Sequence, residues 1–236
     1  MSTLSKVRTR LHTLADLARA EGTLRFFKTG PGQYGEGDRF LGVTVPQIRS
    51  VVRESDALSE EEVVSLLRSK WHEERLLALL VLVRRFVKLK ADGASRERIV
   101  KCYLANIGWV NNWDLVDASA PQILGTWLLD HDRAILDKLA ASHSLWEQRI
   151  AVLATFAFIK AGDFSHTLAL CEYFLTHPHD LMHKACGWML REMGKKHIGT
   201  LRAFLDQFTT RMPRTMLRYA IEKLPEPERQ QVLARR

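Results

Sequence analysis

The sequence predicts an all-α protein, a solenoid of helix-pair repeats forming a single domain over residues 1–236. Three observations predict it. Apolar residues recur at helical spacing along nearly the whole chain, and the alternation of a half-buried strand is nearly absent. Helix start and stop signals come at short intervals, enough for roughly ten to thirteen helices joined by short turns. Three segments also resemble one another: WHEERLLALLVLVRRF from 71, LWEQRIAVLATFAFIK from 145 and LMHKACGWMLREMGKK from 181. Aligned on their basic residues, they set Arg75, Arg149 and Lys184 in equivalent places, 74 and 35 residues apart. Those separations fit the period of helix-pair repeats, which cannot bury their apolar faces singly and so stack into a curved solenoid whose concave side suits a long ligand.

The elements follow from their ends. Thr44 ahead of Val45-Pro46 opens a helix, because proline in the first turn gives up a donor that has no partner there. Ser59 with Glu62 forms a capping box before EVVSLLRSK. Gly93, Gly108, Gly162 and Gly199 read as stops. The one irregular stretch is KTGPGQYGEGDRF, residues 28–40, with glycines at 30, 32, 35 and 37. It lacks the Gly-Lys-Ser/Thr ending of a phosphate-cradling loop, so it reads as a connection between helices, although glycines so close together also permit a backbone to approach a ligand.

Composition narrows the function classes. With 46% hydrophobic and 26% charged residues the 236-residue chain is an ordinary folded protein. Lys and Arg outnumber Asp and Glu by 35 to 27, and the isoelectric point is near 9.6, which favours a polyanionic partner if the excess is clustered and means only solubility if it is dispersed. Cys102, Cys171 and Cys186 are widely spaced among apolar neighbours, the pattern of reduced core residues. His177, His179 and His183 match no metal template, and no metal site is expected. The N-terminal stretch lacks the apolar centre of a secretory signal and no long apolar run follows it, so a soluble, cytoplasmic protein is expected, with no membrane partner. No segment resembles a long apolar dimerisation stripe, and a monomer is the default.

Four places hold residues whose chemistry the core does not require. From Leu181 to Lys196, helical spacing puts Ala185, Cys186, Met189, Leu190 and Met193 on one arc and Lys184, Trp188, Arg191 and Lys195 on the opposite one. An indole within a basic stripe can stack on a base or sugar while its neighbours grip phosphates, or it can pack against an adjoining repeat. Arg149 shares an arc with Val152, Leu153 and Phe156, so its permanent charge needs an anion nearby, either a protein carboxylate or a phosphate. In NNWDLVDASAP, from residue 111, Trp113 lies on the core arc of Val116, Ala120, Ile123, Leu124 and Trp127, with Asp117 at its edge. Pro121 removes the donor for the Asp117 carbonyl, which predicts a kink or a fresh helix start. Asp117 then either stands at the rim of a pocket floored by indole or caps the helix beginning near Pro121.

With those residues in place, the chain resembles the DNA alkylation repair family, the AlkD-type DNA glycosylases built from HEAT-like repeats. The resemblance rests on FFKTGPGQYGEGDRFLGVTVPQIR, WVNNWDLVDASAP, LWEQRIAVLATF and KACGWMLRE, in that order along most of the chain. It implies a right-handed superhelical α-solenoid with a basic concave cleft for double-stranded DNA, and hydrolytic release of positively charged N3- and N7-alkylated purines without a cofactor. It implies that Trp113, Asp117, Arg149 and Trp188 occupy the family's active-site positions and that Arg191 lies on the phosphate backbone. Lys184, Lys195 and Arg75 are the further DNA contacts expected. Phe26 is expected as a DNA contact too, standing where some members carry a tyrosine near the first motif but without that residue's hydroxyl. The resemblance further implies that the sugar is approached from the backbone side with the base still stacked, in a cytoplasmic enzyme working at the bacterial nucleoid. The rival reading is a non-catalytic solenoid of the same fold that binds DNA structures or serves as a protein-interaction scaffold.

Overall fold

A computed structural model describes residues 3–90 and 92–235. Among the described residues the regular structure is helical, and the one extended pairing is an isolated bridge between Arg39 and Trp71. The all-α expectation therefore holds. The chain divides into two compact units, one ending at Ser119 and the other beginning at Ala120.

The first unit contains α1 (Thr3–His12), α2 (Leu17–Phe26), α3 (Val45–Glu54), α4 (Glu60–Leu67), α5 (His72–Lys88), α6 (Gly93–Ala105) and α7 (Trp113–Ser119). The starts read from sequence at Thr44 and Ser59 are present, with Gln47 Oε1 accepting from the Thr44 N–H at 2.9 Å and Glu62 Oε2 from the Ser59 N–H at 2.9 Å. Helix α5 is the centre of this unit. It packs against α3, α4, α6 and α7, and Leu77, Leu79, Val81 and Phe86 are fully enclosed on it.

The second unit contains a π-helical turn (Pro121–Gly125), α8 (Ala134–Ala140), α9 (Leu145–Ala161), α10 (Ser165–Tyr173), α11 (Asp180–Lys196), α12 (Ile198–Phe208), α13 (Arg214–Ala220) and α14 (Glu226–Ala234). Helix α9 packs on α8, α10 and α11, and α11 packs on α10, α12 and α13. Contacts between near neighbours in the chain are what stacked helix repeats require. Among the described residues, fourteen α-helices exceed the expected number because several are only seven to nine residues long, too short for a full apolar period to register.

Two of the four glycine stops are corrected. Gly162 ends α9 at φ +86° and Gly108 sits in the 3₁₀ turn after α6, but Gly93 and Gly199 lie in the first turns of α6 and α12, behind the caps Asp92 and His197. A glycine next to a strong cap reads alike from either side when only spacing is known. The three similar segments become α5, α9 and α11, each 17 residues long, with Arg75 fourth in its helix and Arg149 and Lys184 fifth in theirs.

Candidate active site

In the first unit, the candidate residues gather where the glycine-rich segment meets the N-termini of α5 and α7. Glycine is required at one point of this segment and at one just beyond it. A Cβ on Gly35 would lie 2.4 Å from the Phe27 carbonyl oxygen, and one on Gly42, at φ +79°, would lie 2.1 Å from that of Asp16. The segment is thereby folded back on α2, and Glu73 of α5 secures its end by accepting from the backbone N–H groups of Leu41, Gly42 and Val43 at 2.9, 2.8 and 3.3 Å. Far from a slack connection, this stretch is bound to α5 through buried carboxylates.

Asp38 is the second anchor. Its carboxylate accepts from the His72 Nδ1–H at 3.2 Å, from the Asn112 amide at 2.9 Å and from the Arg75 guanidinium. The Nε2–H of His72 donates to Asp114 Oδ2 at 2.8 Å, so the imidazole spans two carboxylates and donates from both nitrogens. Burial alone would lower the His72 pKa, but the charge and hydrogen bond of Asp114, reinforced by Asp38, push it up from 6.5 to about 9. Burial alone would raise Asp38; the His72 hydrogen bond and the charges of Arg75 and His72, with the Asn112 amide, hold it below the usual value. The ring of His72 also stacks on Phe40 at 4.6 Å.

Trp113 opens α7, with its N–H donated to Asn112 Oδ1 at 2.9 Å. Its indole stacks on Phe27 at 5.2 Å and 11°, and Phe27 stacks on Phe40 at 5.0 Å. Phe26, 66% exposed, meets Trp113 edge-on at 5.8 Å. The hydroxyl missing at Phe26 has a neighbour in Tyr34, whose Oη donates to the Phe26 carbonyl at 3.4 Å. Asp117 is half-buried, one turn along α7 from Trp113 and within the helix, so it does not cap a helix at Pro121. After α7 the chain takes the π-helical turn, closed by the Gly125 N–H on the Ala120 carbonyl at 2.9 Å. The kink expected at Pro121 is this i→i+5 turn.

In the second unit, Arg149 is 4% exposed, and its Nη1–H donates to the Leu181 carbonyl at 2.6 Å, tying α9 to the first turn of α11. Ala185, Cys186, Met189, Leu190 and Met193 are fully buried on α11, as their arc requires. Trp188 is half-buried, tilted against Phe156 of α9 at 6.0 Å, and donates its Nε1–H to Glu192 Oε1 at 3.2 Å. Glu192 also accepts from Arg191 Nε at 3.4 Å and Lys195 Nζ at 2.7 Å. Arg191 is further paired with Glu222, and Lys184 with Asp180 at 2.9 Å. The basic stripe is thus threaded with acids, and Glu192 is its hub. His179 caps α11 through the Leu181 N–H at 3.1 Å, and His177 meets Gln148 at 2.9 Å, so these histidines organise a turn.

Arg75, expected as a DNA contact, is 3% exposed and bonded to Asp38 and to the Ser69 carbonyl at 3.0 Å. Repeat alignment placed it by helix position, and position does not carry environment. Asp38, His72, Asn112, Asp114, Glu73 and Glu192 were missed. Asn112 and Asp114 flank Trp113 in sequence, which is a local signal; Asp38 lies 34 residues from His72 and 74 from Asn112, which no periodicity links.

Among the described residues no group of three or more His, Cys, Asp or Glu side chains could hold a metal ion, and no helix is long and apolar enough to cross a membrane. Compared with known proteins, residues 7–224 match the family described as DNA alkylation repair enzyme. A solved structure titled a predicted DNA alkylation repair enzyme from Enterococcus faecalis superposes with a TM-score of 0.70 at 16% identity, covering 90% of this chain and 97% of that one. At that identity the likeness concerns the fold. No curated protein matches.

Proposed function

Because the chain belongs to the DNA alkylation repair enzyme family, we propose that it is a DNA glycosylase releasing positively charged N3- and N7-alkylated purines from duplex DNA by hydrolysis, without a cofactor. The observation that carries this reading is the pairing on α7 of a half-buried carboxylate, Asp117, with an indole one turn away whose ring is held by Phe27 and Phe26.

The chemistry asks for little else. An N3- or N7-alkylpurine already carries a positive charge, so when its bond to C1′ breaks, the electron pair goes to the ring and the base departs neutral. The barrier is the positive charge developing on the deoxyribose, an oxocarbenium-like state of the kind that carboxylates stabilise in glycosidases. Asp117 supplies the opposing negative charge and orients a water toward C1′; the water adds its oxygen there as its proton passes to the Asp117 carboxylate and on to solvent. The products are a free alkylpurine and an abasic sugar. The face of Trp113 stabilises the cationic nucleotide by about 0.5–2 kcal/mol where water is excluded. Within the second unit, Trp188, held by Glu192, presents an indole of the same chemistry, and Arg191, Lys184 and Lys195 offer cations to DNA phosphates. Arg149, bonded to the Leu181 carbonyl, acts by holding α11. The family resemblance implies that the base stays stacked and escapes the few kcal/mol of flipping, with selectivity coming from the lesion's own charge and lability. The protein is proposed to act as a cytoplasmic monomer.

The non-catalytic reading draws on Glu192 and Glu222, which already neutralise part of the stripe. One assay separates the two. Incubation with duplex DNA containing 7-methylguanine is expected to release free base, and Asp117→Asn to abolish release while leaving DNA binding within about twofold. DNA binding by the wild type without release would favour the scaffold, and full release by the variant would remove Asp117 from the reaction.

A further inference from the structure

The residues on either side of Trp113 are both wired to one buried pair. Asn112 accepts the Trp113 N–H on Oδ1 at 2.9 Å and donates through Nδ2 to Asp38 at 2.9 Å. Asp114 accepts from His72 at 2.8 Å, and His72 donates to Asp38 at 3.2 Å. The side chains continue the circuit, because the Trp113 ring stacks on Phe27, Phe27 on Phe40, and Phe40 on the His72 imidazole.

We infer that His72, held between Asp38 and Asp114, is a positioning residue that sets the orientation of the Trp113 indole. This rests on the reading of Trp113 as a ring that faces the cationic nucleotide. The reasoning is geometric. An imidazolium can donate in two directions at once, here to the glycine-rich segment and to α7. Deprotonation removes one donor and leaves two carboxylates facing a neutral ring. The charged groups around it are Asp38 of the segment, Asp114 of α7 and Arg75 of its own helix, which reaches it through Asp38. Arg75 remains charged at any working pH, so Asp38 keeps its bonds to Arg75 and Asn112. The Nε2 bond to Asp114 at 2.8 Å is the shorter, so the contact released is the one to Asp38 at 3.2 Å, which frees the imidazole under the Phe40, Phe27 and Trp113 stack to turn. The indole should then turn without the unit unfolding. Burial and the two aspartates place this proton loss at about pH 9.

The test reads the ring directly. In the wild type, the indole N–H resonance of Trp113, assigned by its loss in Trp113→Phe, is followed from pH 6 to 10.5 together with the His72 ring resonances and single-turnover release of 7-methylguanine. The Trp113 shift and the His72 titration are expected to share a midpoint near 9, with the release rate falling at least fivefold across it and the DNA dissociation constant changing less than twofold. His72→Gln, which can bridge only one aspartate, should show the high-pH rate at pH 7 and no midpoint near 9. A Trp113 resonance that ignores His72 titration overturns the inference, whether or not His72→Gln folds. So does a folded His72→Gln with wild-type rate. If the wild type releases no base, the glycosylase reading fails by itself, and the shared midpoint of the two resonances still decides the positioning.

Discussion

Arg75→Leu decides between two physical roles for one guanidinium. The side chain is 3% exposed, paired with Asp38 and bonded to the Ser69 carbonyl at 3.0 Å. Removing one partner of a buried pair costs about 3–5 kcal/mol, because the remaining charge is stranded away from water. Here Asp38 keeps the His72 and Asn112 hydrogen bonds, and Arg75 Nε has no hydrogen-bond partner to lose. The lower end, about 3 kcal/mol, is therefore expected. In a chain of this size each kcal/mol moves the melting midpoint by about 2–4 °C, so the midpoint should fall by about 6–12 °C. Urea titration followed by circular dichroism measures the loss, and fluorescence anisotropy with duplex DNA at several salt concentrations measures binding below the melting range. The salt slope should stay at the wild-type value. An unchanged unfolding midpoint with a slope reduced by about one would put Arg75 on a phosphate and refute the reasoning.

Other expectations follow from the same geometry. The folded-state pKa of His72 is raised from 6.5 to about 9, so its contribution is fully present below pH 6.5 and lost as pH rises through 9. The difference amounts to about 3 kcal/mol, readable as a fall in urea midpoint between pH 6 and 10 that His72→Gln lacks; parallel curves for the two proteins would contradict it. Arg191→Ala should weaken duplex binding and flatten its salt slope by about one, whereas an unaltered slope places Arg191 away from phosphate. Glu192→Gln keeps an acceptor for the Trp188 indole but removes the charge that neutralises Arg191 and Lys195. Tighter, more salt-sensitive DNA binding is the expected result, and weaker binding would show that Glu192 orders the stripe more than it neutralises it.

Helical periodicity placed the buried arc of α11 correctly, whereas α9 is buried on nearly all sides and Phe156 of its expected arc is half-buried; capping chemistry placed the starts of α3 and α4. These are local effects, set by residues three or four apart. The candidate residues Trp113 and Asp117 were legible for the same reason, being one turn apart on a short helix. Environment was not legible. Arg75, Arg149 and Lys184 align in sequence and lie near the starts of their helices, yet one is sealed against an aspartate, one binds a carbonyl and one is half-exposed beside Asp180.

What the sequence by itself determined is the helical architecture, the family and the residues whose chemistry is surplus to a core. Only the tertiary structure decided which charges are already spent on protein partners, and that the glycine-rich segment is fastened by Asp38 and by the backbone bonds of Glu73. The physical reason is range. Helix formation and capping are settled within a few residues, whereas the partner of a buried charge is whatever the folded chain brings within about 3 Å, and Asp38 and Asn112 meet across 74 positions of sequence.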